Sequence, residues 1–420
     1  MDHFQLRNGE LYCEDVPLAD IASQVGTPVY VYSTATMLRH VEVLRSGLEG
    51  LDDPLIAYAV KANPNAAVLA TFANAGLGGD VVSGGEVRRA RAAGMPASKI
   101  VFSGVGKTVA EMRLTLDEGV FQFNLESVAE AEALSAVATA MGKTAPVAFR
   151  VNPDVSAETH AKITTGVAES KFGIAIAEAV EAYTRAARLP GLQVQGVAVH
   201  IGSQLTNLTP LEKAFTRVGE LIGELRATGC EISVADLGGG LGVPYNPDLP
   251  HPPGPAEYGD MVRRITREWN VRLVFEPGRL LVGNAGVLLS RVIRVKPGAS
   301  NPFIIVDAAM NDLMRPALYD AWHQIDAVQP SGEQWTANVV GPVCESGDTF
   351  ATARIMDRLE EDDLIVFRTA GAYAAAMSST YNSRPLTPEV LVDGDRWAVV
   401  RPRVDVEALI ASDSVPDWLR

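Results

Sequence analysis

Four kinds of chemically capable residue follow short apolar runs in this sequence. They are Lys61 after "LIAYAV", His200 after "GVAV", the glycines 238–240 after "ISVADL" and Glu276 after "RLVF". An amine at the end of a buried strand is partly desolvated, which lowers its pKa and makes it nucleophilic towards an aldehyde. A single lysine in such a place is more often a solvated charge. A lysine, a histidine, a glycine turn and a carboxylate together form a far more specific combination.

The glycines 238–240 are suited to binding a phosphate group. Because they lack side chains, they let a phosphate approach backbone N–H groups, and many barrels bind phosphate after their seventh strand. A plain tight turn is the alternative for the triplet taken alone. The stretch "SGVGKT" (103–108) is not a nucleotide-binding P-loop, because that motif needs glycine where Val101 stands. The triplet also lacks the third glycine of a dinucleotide fingerprint, since position 243 is Val243.

Glu276, His200 and Ser203 extend this set towards a pyridoxal phosphate site. Glu276 in "FEPGR" can pair with the pyridine nitrogen and keep it protonated, so that the ring accepts the electron pair left by departing CO₂. His200 can stack on the ring, and Ser203 in "HIGSQ" can donate to the phosphate. A histidine after an apolar strand is more often structural, so its assignment depends on its neighbours.

Alternating strand and helix patterns must position these residues. Eight short apolar runs alternate with helical stretches rich in Ala, Glu, Arg and Leu, and this alternation predicts a parallel sheet closed into a (β/α)₈ barrel over residues 34–282. The runs are 55–63, 78–86, 99–107, 120–127, 147–154, 196–204, 232–240 and 271–279. In such a barrel the active site lies at the carboxyl ends of the strands.

Residues 283–420 have a different pattern, with strand-like runs separated by Gly, Pro, Asn and Asp turns. We expect an antiparallel β-barrel or sandwich domain there, joined by strands from residues 1–33. At 420 residues the chain is long enough for these two domains. The proline-rich stretch 243–255 predicts a surface loop.

Composition excludes several classes of partner. The net charge of −15 argues against nucleic acid and anionic membrane surfaces, which both require clustered basic residues. The three widely spaced cysteines form no disulfide framework and no zinc-binding spacing. No secretory leader and no 18-residue apolar segment can be recognised. We therefore expect a cytoplasmic protein without a metal site.

A series of motifs along almost the whole chain resembles the diaminopimelate decarboxylase family. The motifs are "YAVKAN" (58–63), "DVVSGGE" (80–86), "ESKFGI" (169–174), "HIGSQ" (200–204), "DLGGGLG" (236–242), "EPGR" (276–279), "GPVCESGD" (341–348) and "GAYAAAMSSTYNSRP" (371–385). The resemblance implies the barrel and β domain of the alanine-racemase-like fold type, with pyridoxal phosphate as cofactor. It also implies a homodimer with shared active sites. The implied reaction converts meso-2,6-diaminopimelate to L-lysine and CO₂, the last step of lysine biosynthesis.

The resemblance also implies roles for individual residues. Lys61 carries the cofactor as a Schiff base and is catalytic together with His200 and with Cys344, which reprotonates the α-carbon from the partner subunit. The cofactor-binding set is Lys61, His200, Ser203, Gly238, Gly239, Gly240, Glu276, Pro277, Gly278, Arg279 and Tyr373. The substrate-binding set is Arg279, Arg315, Tyr319, Glu345 and Tyr373. Within it the arginines and Tyr319 take the distal carboxylate, and Glu345 takes the distal ammonium.

Other interpretations of the residues remain open. An ornithine or arginine decarboxylase on the same scaffold has a substrate without a distal carboxylate, which leaves Arg279 and Arg315 without a role. A non-catalytic cofactor-binding homologue is expected to have lost Lys61 or Cys344. In a racemase, an arginine is favoured at the ring nitrogen instead of a carboxylate such as Glu276. A lysine aldolase without cofactor would leave the phosphate-binding glycines 238–240 without a role. Taken alone, Cys344 could be a buried apolar residue and Arg315 an ordinary surface charge.

Overall fold

The structure, a computed structural model, describes residues 2–155 and 171–420. The chain forms two compact units. The barrel unit comprises Leu38–Pro244 and Pro250–Leu281, and the β unit comprises the chain up to Met37, Tyr245–Leu249 and Val282–Arg420. The segment Tyr245–Leu249 thus belongs to the β unit, although its neighbours in sequence belong to the barrel unit. None of the helices in the described ranges is long and apolar enough to cross a membrane.

The first elements of the chain are short strands and two helices. They are β1 (Phe4–Arg7), β2 (Glu10–Cys13), β3 (Val16–Pro17), α1 (Leu18–Val25), β4 (Val29–Ser33) and α2 (Thr34–Gly47). Strands β1, β2 and β3 form a small antiparallel sheet of their own. All five residues of β4 are buried, which is typical of a strand inside a larger sheet.

The barrel unit contains alternating strands and helices. They are β5 (Leu55–Ala59), α3 (Ala66–Asn74), β6 (Gly78–Val81), α4 (Gly84–Ala92), β7 (Ile100–Phe102), α5 (Val109–Glu118), β8 (Gln122–Leu125), α6 (Val128–Met141), β9 (Ala145–Asn152), β10 (Ile174–Ala175), α7 (Ala179–Ala186), β11 (Leu192–Val199), α8 (Thr209–Ala227), β12 (Val234–Asp236), α9 (Pro255–Thr266), β13 (Arg272–Phe275) and α10 (Arg279–Val282).

Eight of these described strands close into a parallel barrel. The order is β5, β6, β7, β8, β9, β11, β12 and β13, and β13 pairs again with β5. Strand β10 pairs only with β9, outside the ring. The predicted (β/α)₈ barrel is confirmed, and each of the eight predicted runs supplies one of its strands.

Local sequence signals explain where the barrel helices begin and end. The hydroxyls of Ser83, Thr108 and Ser127 each accept a backbone N–H of the first turn of α4, α5 and α6, which satisfies a donor that has no partner within the helix. Gly119 and Gly142 end α5 and α6 in the left-handed conformation, where glycine costs least. Side chains of β5, β7, β12 and β13 pack into an apolar cluster formed by Leu55, Ala57, Val101, Val234 and Val274.

The β unit continues the chain after the barrel. Its further elements are β14 (Gly286–Lys296), β15 (Phe303–Val306), α11 (Arg315–Tyr319), β16 (Ile325–Ala327), β17 (Gln334–Val340), β18 (Thr349–Asp357), β19 (Leu364–Phe367), β20 (Glu389–Asp393), β21 (Arg396–Arg401) and α12 (Val406–Ala411). The main sheet has the order β18, β17, β15, β14, β4, β20 and β21. Strand β19 also pairs with β14, and β16 pairs with β19.

Most pairs in this sheet are antiparallel, as predicted, but two are parallel. Strand β15 runs parallel to β17, and β4 runs parallel to β20. A parallel pair needs a long crossover, and the chain between β15 and β17 provides it with α11 and β16. The expectation that strands from residues 1–33 join this domain is confirmed, since β4 lies between β14 and β20.

Candidate active site

Lys61 lies directly beyond strand β5, in a short 3₁₀ turn formed by Val60–Ala62. Its Nζ donates a hydrogen bond of 2.9 Å to Oδ2 of Asp80, whose side chain is completely buried on β6. Within the described residues, nothing hydrogen-bonds to the other, buried carboxylate oxygen of Asp80. The side chain of Lys61 is 39% exposed, so its amine is accessible while Asp80 fixes its position.

The glycine turn after β12 has no room for side chains. A Cβ on Gly238 would lie 2.5 Å from the carbonyl oxygen of Val199, and one on Gly239 would collide with the carbonyl oxygen of Glu276. Gly238 and Gly240 also have φ values of +64° and +115°, which L side chains rarely adopt. The turn therefore packs backbone against backbone between the ends of β11 and β13.

His200 follows β11 and contacts this turn. Its Nδ1 accepts the N–H of Gly239 at 3.2 Å, so the ring proton is on Nε2. Burial lowers the pKa of His200 well below its usual value, and the positive charges of Arg150 and Lys61 lower it further. The imidazole is therefore neutral, which suits a flat ring that stacks on another ring better than a hydrated cation would.

Glu276 and Asp236, at the ends of neighbouring strands β13 and β12, form a buried pair of carboxyl groups. Their side chains hydrogen-bond to each other, and burial raises the pKa of both, that of Asp236 to about 6. Asp236 also accepts the N–H of Gly238 at 3.0 Å and Nδ2 of Asn124 at 2.8 Å. The hydroxyl of Ser103 lies 3.5 Å from Oε1 of Glu276. Asp236 thus connects the glycine turn to Glu276, and it was not among the predicted site residues.

Residues 277–279 are fixed to the same end of the barrel. The carbonyl oxygen of Pro277 accepts the N–H of Ala59, the last residue of β5, at 3.0 Å. Arg279 is buried and donates from Nη2 to the hydroxyl of Ser203 at 3.1 Å. The carboxyl ends of the barrel strands therefore bring together Lys61, His200, Ser203, Gly238, Gly239, Gly240, Glu276, Pro277, Gly278 and Arg279.

The remaining predicted residues lie in the β unit. Cys344 and Glu345 are exposed in a turn between β17 and β18. Asp348 shapes this turn, because its buried carboxylate accepts the N–H groups of Met310 and Val343, each at 2.7 Å. The carboxylate of Glu345 raises the pKa of the Tyr381 hydroxyl, so the two side chains lie near each other. Tyr381 was not among the site residues predicted from the sequence, although it lies within the recognised motif 371–385.

Arg315, Tyr319 and Tyr373 also belong to the β unit. Arg315 and Tyr319 are the first and last residues of α11, and Arg315 is buried rather than a surface charge. Tyr373 has a φ of +54°, an uncommon conformation for a residue with a side chain. Of the motif 169–174, residues 169 and 170 lie outside the described residues.

Comparison with known proteins decides the family. Residues 36–283 match the family described as pyridoxal-dependent decarboxylase, pyridoxal binding domain. Diaminopimelate decarboxylase of Zymomonas mobilis subsp. mobilis is 54% identical over 418 residues, which cover 99% of each chain. That of Neisseria meningitidis serogroup A is 48% identical, covering 96% of this chain and 98% of its own. The chain belongs to the diaminopimelate decarboxylase family.

Solved structures of diaminopimelate decarboxylases have the same fold. The enzyme from M. jannaschii, crystallised in co-complex with L-lysine, is 35% identical and superposes with a TM-score of 0.95 over 100% of this chain and 99% of its own. The recognised family, the predicted fold class and pyridoxal phosphate as cofactor are thereby confirmed.

The side chains at the barrel end fit the cofactor of diaminopimelate decarboxylases. Lys61 supplies an accessible amine for its aldehyde, and the glycine turn leaves space that any Cβ would fill. The buried carboxyl groups of Asp80, Asp236 and Glu276 interact electrostatically with one another at this end. A protonated pyridine nitrogen would place a positive charge next to the buried carboxyl pair of Asp236 and Glu276.

Proposed function

We propose that this protein is a pyridoxal-phosphate-dependent diaminopimelate decarboxylase that converts meso-2,6-diaminopimelate to L-lysine and CO₂. The observation that carries the proposal is the arrangement of Lys61 at the carboxyl end of the barrel. Its amine is hydrogen-bonded to Asp80 and shares this end with the glycine turn and the carboxyl pair of Glu276 and Asp236. The full-length relatives named diaminopimelate decarboxylase support the choice of substrate.

In this proposal Lys61 would hold the cofactor at its aldehyde, and Glu276 would hold its ring nitrogen. His200 would lie against the ring as a neutral imidazole. The phosphate would be held by Ser203, Tyr373, the glycine turn 238–240 and the backbone of 277–279. Because the N–H groups of Gly238 and Gly239 already donate to Asp236 and His200, we assign the backbone bonds to the phosphate to Gly240, Gly278 and Arg279.

When bound, the cofactor withdraws the electron pair that remains on the substrate's α-carbon after CO₂ leaves. The protein's own residues keep the ring nitrogen protonated and control the protons around the α-carbon. Glu276 holds the proton at the nitrogen, and Asp236 fixes the orientation of Glu276. We assign to Cys344 the donation of a proton from Sγ to the α-carbon, and its thiol is exposed on a turn, as a residue that acts in a partner subunit must be.

The substrate's distal end carries a carboxylate and an ammonium of its own. We assign the carboxylate to Arg279, Arg315 and Tyr319, since a guanidinium matches a carboxylate in geometry and charge. Glu345 takes the ammonium, and Tyr381 lies near its carboxylate. Tyr373 contacts substrate as well as phosphate.

The proposal includes a cytoplasmic homodimer in which Cys344 and Glu345 of one subunit act in the active site of its partner. The exposure of both residues supports this, because a residue that acts in another subunit must be accessible on its own. All three cysteines are free thiols, which is consistent with a reducing compartment.

The test is release of CO₂ by the purified, cofactor-loaded protein from meso-diaminopimelate, L-ornithine, L-arginine and L-lysine. We expect meso-diaminopimelate to be preferred by at least ~100-fold in kcat/KM, on the scale by which an unpaired buried charge discriminates between substrates. Comparable turnover of L-ornithine or L-arginine would overturn the choice of substrate.

A further inference from the structure

The guanidinium of Arg315 is held between two side chains of the β unit. Its Nη1 lies 2.9 Å from Nε2 of His323, and its Cζ lies 4.6 Å from the centre of the Tyr245 ring. Arg315 is 6% exposed and His323 is 2% exposed, so these contacts are shielded from water. A planar cation fixed by an in-plane acceptor and by an aromatic face has little freedom to rotate.

The tautomer of His323 is determined by its other ring nitrogen. Nδ1 lies 2.8 Å from the carbonyl oxygen of Arg368, which can only accept, so Nδ1 carries the proton. Nε2 is therefore an unprotonated acceptor that faces Arg315. The Arg368 backbone is itself fixed, because its N–H donates to the carbonyl oxygen of Gln324 at 2.8 Å. The imidazole cannot turn without breaking its contact with Arg315 or with the Arg368 carbonyl.

Tyr245 contacts both partners of this arrangement. Its ring packs against that of His323 edge to face, with centres 5.4 Å apart and an interplanar angle of 82°, while its face lies against the guanidinium. Tyr245 comes from the proline-rich stretch 243–255, in which the segment Tyr245–Leu249 belongs to the β unit. This stretch was predicted as a surface loop, and the structure gives one of its residues a specific contact.

We propose that His323 and Tyr245 are positioning residues that determine specificity for a substrate with a distal carboxylate, by holding Arg315 in the orientation that binds it. This inference rests on the proposed function, in which Arg315 binds that carboxylate. A flexible arginine must lose side-chain freedom each time it binds, whereas a fixed one has lost it on folding. The effect is therefore expected on binding of the carboxylate and not on the chemical step.

Two ligands separate binding of the distal carboxylate from binding of the rest of the substrate. Decarboxylation removes the carboxylate at the reacting carbon, so the product L-lysine keeps the distal one. The compound 1,5-diaminopentane has the same carbon chain without any carboxylate. His323→Leu in the cofactor-loaded protein should raise the Kd of L-lysine by calorimetry, and the KM of meso-diaminopimelate, by about tenfold. The kcat, the cofactor absorbance and the Kd of 1,5-diaminopentane should stay within about twofold.

His323→Gln keeps an acceptor for Arg315 and a donor for the Arg368 carbonyl, so it should restore most of the affinity. Tyr245→Leu should resemble His323→Leu, and Tyr245→Phe, which keeps the ring, should have a smaller effect. Trp335→Leu removes another ring of the β unit that faces an arginine, at 6.0 Å from Arg358, and should change none of these values. If His323→Leu does not fold, the two Tyr245 variants provide the same comparison.

Arg315→Ala distinguishes failure of this inference from failure of the proposed function. If Arg315→Ala weakens L-lysine binding strongly while His323→Leu and Tyr245→Leu leave it unchanged, the positioning role is wrong and the assignment of Arg315 stands. If Arg315→Ala itself leaves L-lysine binding and the KM unchanged, the assignment of Arg315 to the distal carboxylate is wrong. Equal weakening of 1,5-diaminopentane by His323→Leu would also contradict the inference, because it would indicate general damage to the site.

Discussion

The carboxyl groups of Asp236 and Glu276 hydrogen-bond to each other at the ends of adjacent barrel strands. Both side chains are buried, and Asp236 additionally accepts from Asn124 and from the N–H of Gly238. Two buried carboxylates cannot both ionise cheaply, so the pair retains a proton in a pH range where exposed carboxyl groups have lost theirs. Glu276 is thereby held in one orientation before any cofactor binds.

The pair should make the stability of the cofactor-free protein depend on pH. The pKa of Asp236 is raised from 3.8 to about 6, so the folded state binds the proton more tightly than the unfolded state. This contribution is fully present below the unfolded value and is lost as the pH rises through about 6. Urea unfolding at pH 4.5 and pH 7 should show that Asp236→Asn gains stability relative to wild type over this interval, on the order of 2 kcal/mol. If the difference in stability between Asp236→Asn and wild type is the same at both pH values, the result contradicts a proton shared by the two carboxyl groups.

The glycine turn provides a second test, because Gly239 has no space for a Cβ next to the carbonyl oxygen of Glu276. Gly239→Ala should weaken binding of pyridoxal phosphate at least tenfold, an effect of about 1.4 kcal/mol or more. Gly223→Ala is the matched control, since a Cβ at this position of α8 meets nothing within 4 Å. Fluorescence titration with pyridoxal phosphate and with pyridoxal measures both affinities. If Gly239→Ala weakens binding of pyridoxal as much as binding of pyridoxal phosphate, the turn does not act through the phosphate group.

Cys344 is tested by comparing kcat with KM. Cys344→Ala should lower kcat at least ~100-fold with little change in KM, because general acid catalysis contributes about 10²–10⁴ and acts after the substrate has bound. Cys230→Ala removes a buried thiol elsewhere in the chain and should leave both constants close to wild type. Steady-state CO₂ release gives both values, and a change confined to KM would exclude Cys344 as the proton donor.

The sequence was sufficient to predict which residues lie at the barrel end, and the physical reason is the parallel barrel itself. A residue directly after a buried strand must lie at the carboxyl end of the barrel, so Lys61, His200 and Glu276 could be grouped before any coordinates were known. The hydrophobic period and the turn residues were sufficient to locate the strands, because the barrel strands are short and helices such as α4 and α5 carry capping residues.

Contacts between residues on different elements could not be predicted in the same way. Asp236 is the first residue of the recognised motif 236–242. Its bond to Glu276 could not be predicted, because that bond depends on which strands are neighbours in the closed barrel. Nothing in the proline-rich stretch 243–255 indicates that Tyr245 faces Arg315. The proximity of Tyr381 to Glu345 depends on how two loops of the β unit fold. The parallel pairs of β4 with β20 and of β15 with β17 were missed because period 2 identifies a strand but not its direction.

The most direct test of the central claim is the visible absorbance of the purified protein with pyridoxal phosphate. Wild type should show a band near ~420 nm, as expected for the cofactor joined to a lysine amine. Lys61→Ala should lack this band while keeping the fold. Lys99→Ala, which removes a half-buried lysine at the opposite end of the barrel strands, should retain it. A band that persists in Lys61→Ala, or a wild-type protein that stays colourless with added cofactor, would contradict the account.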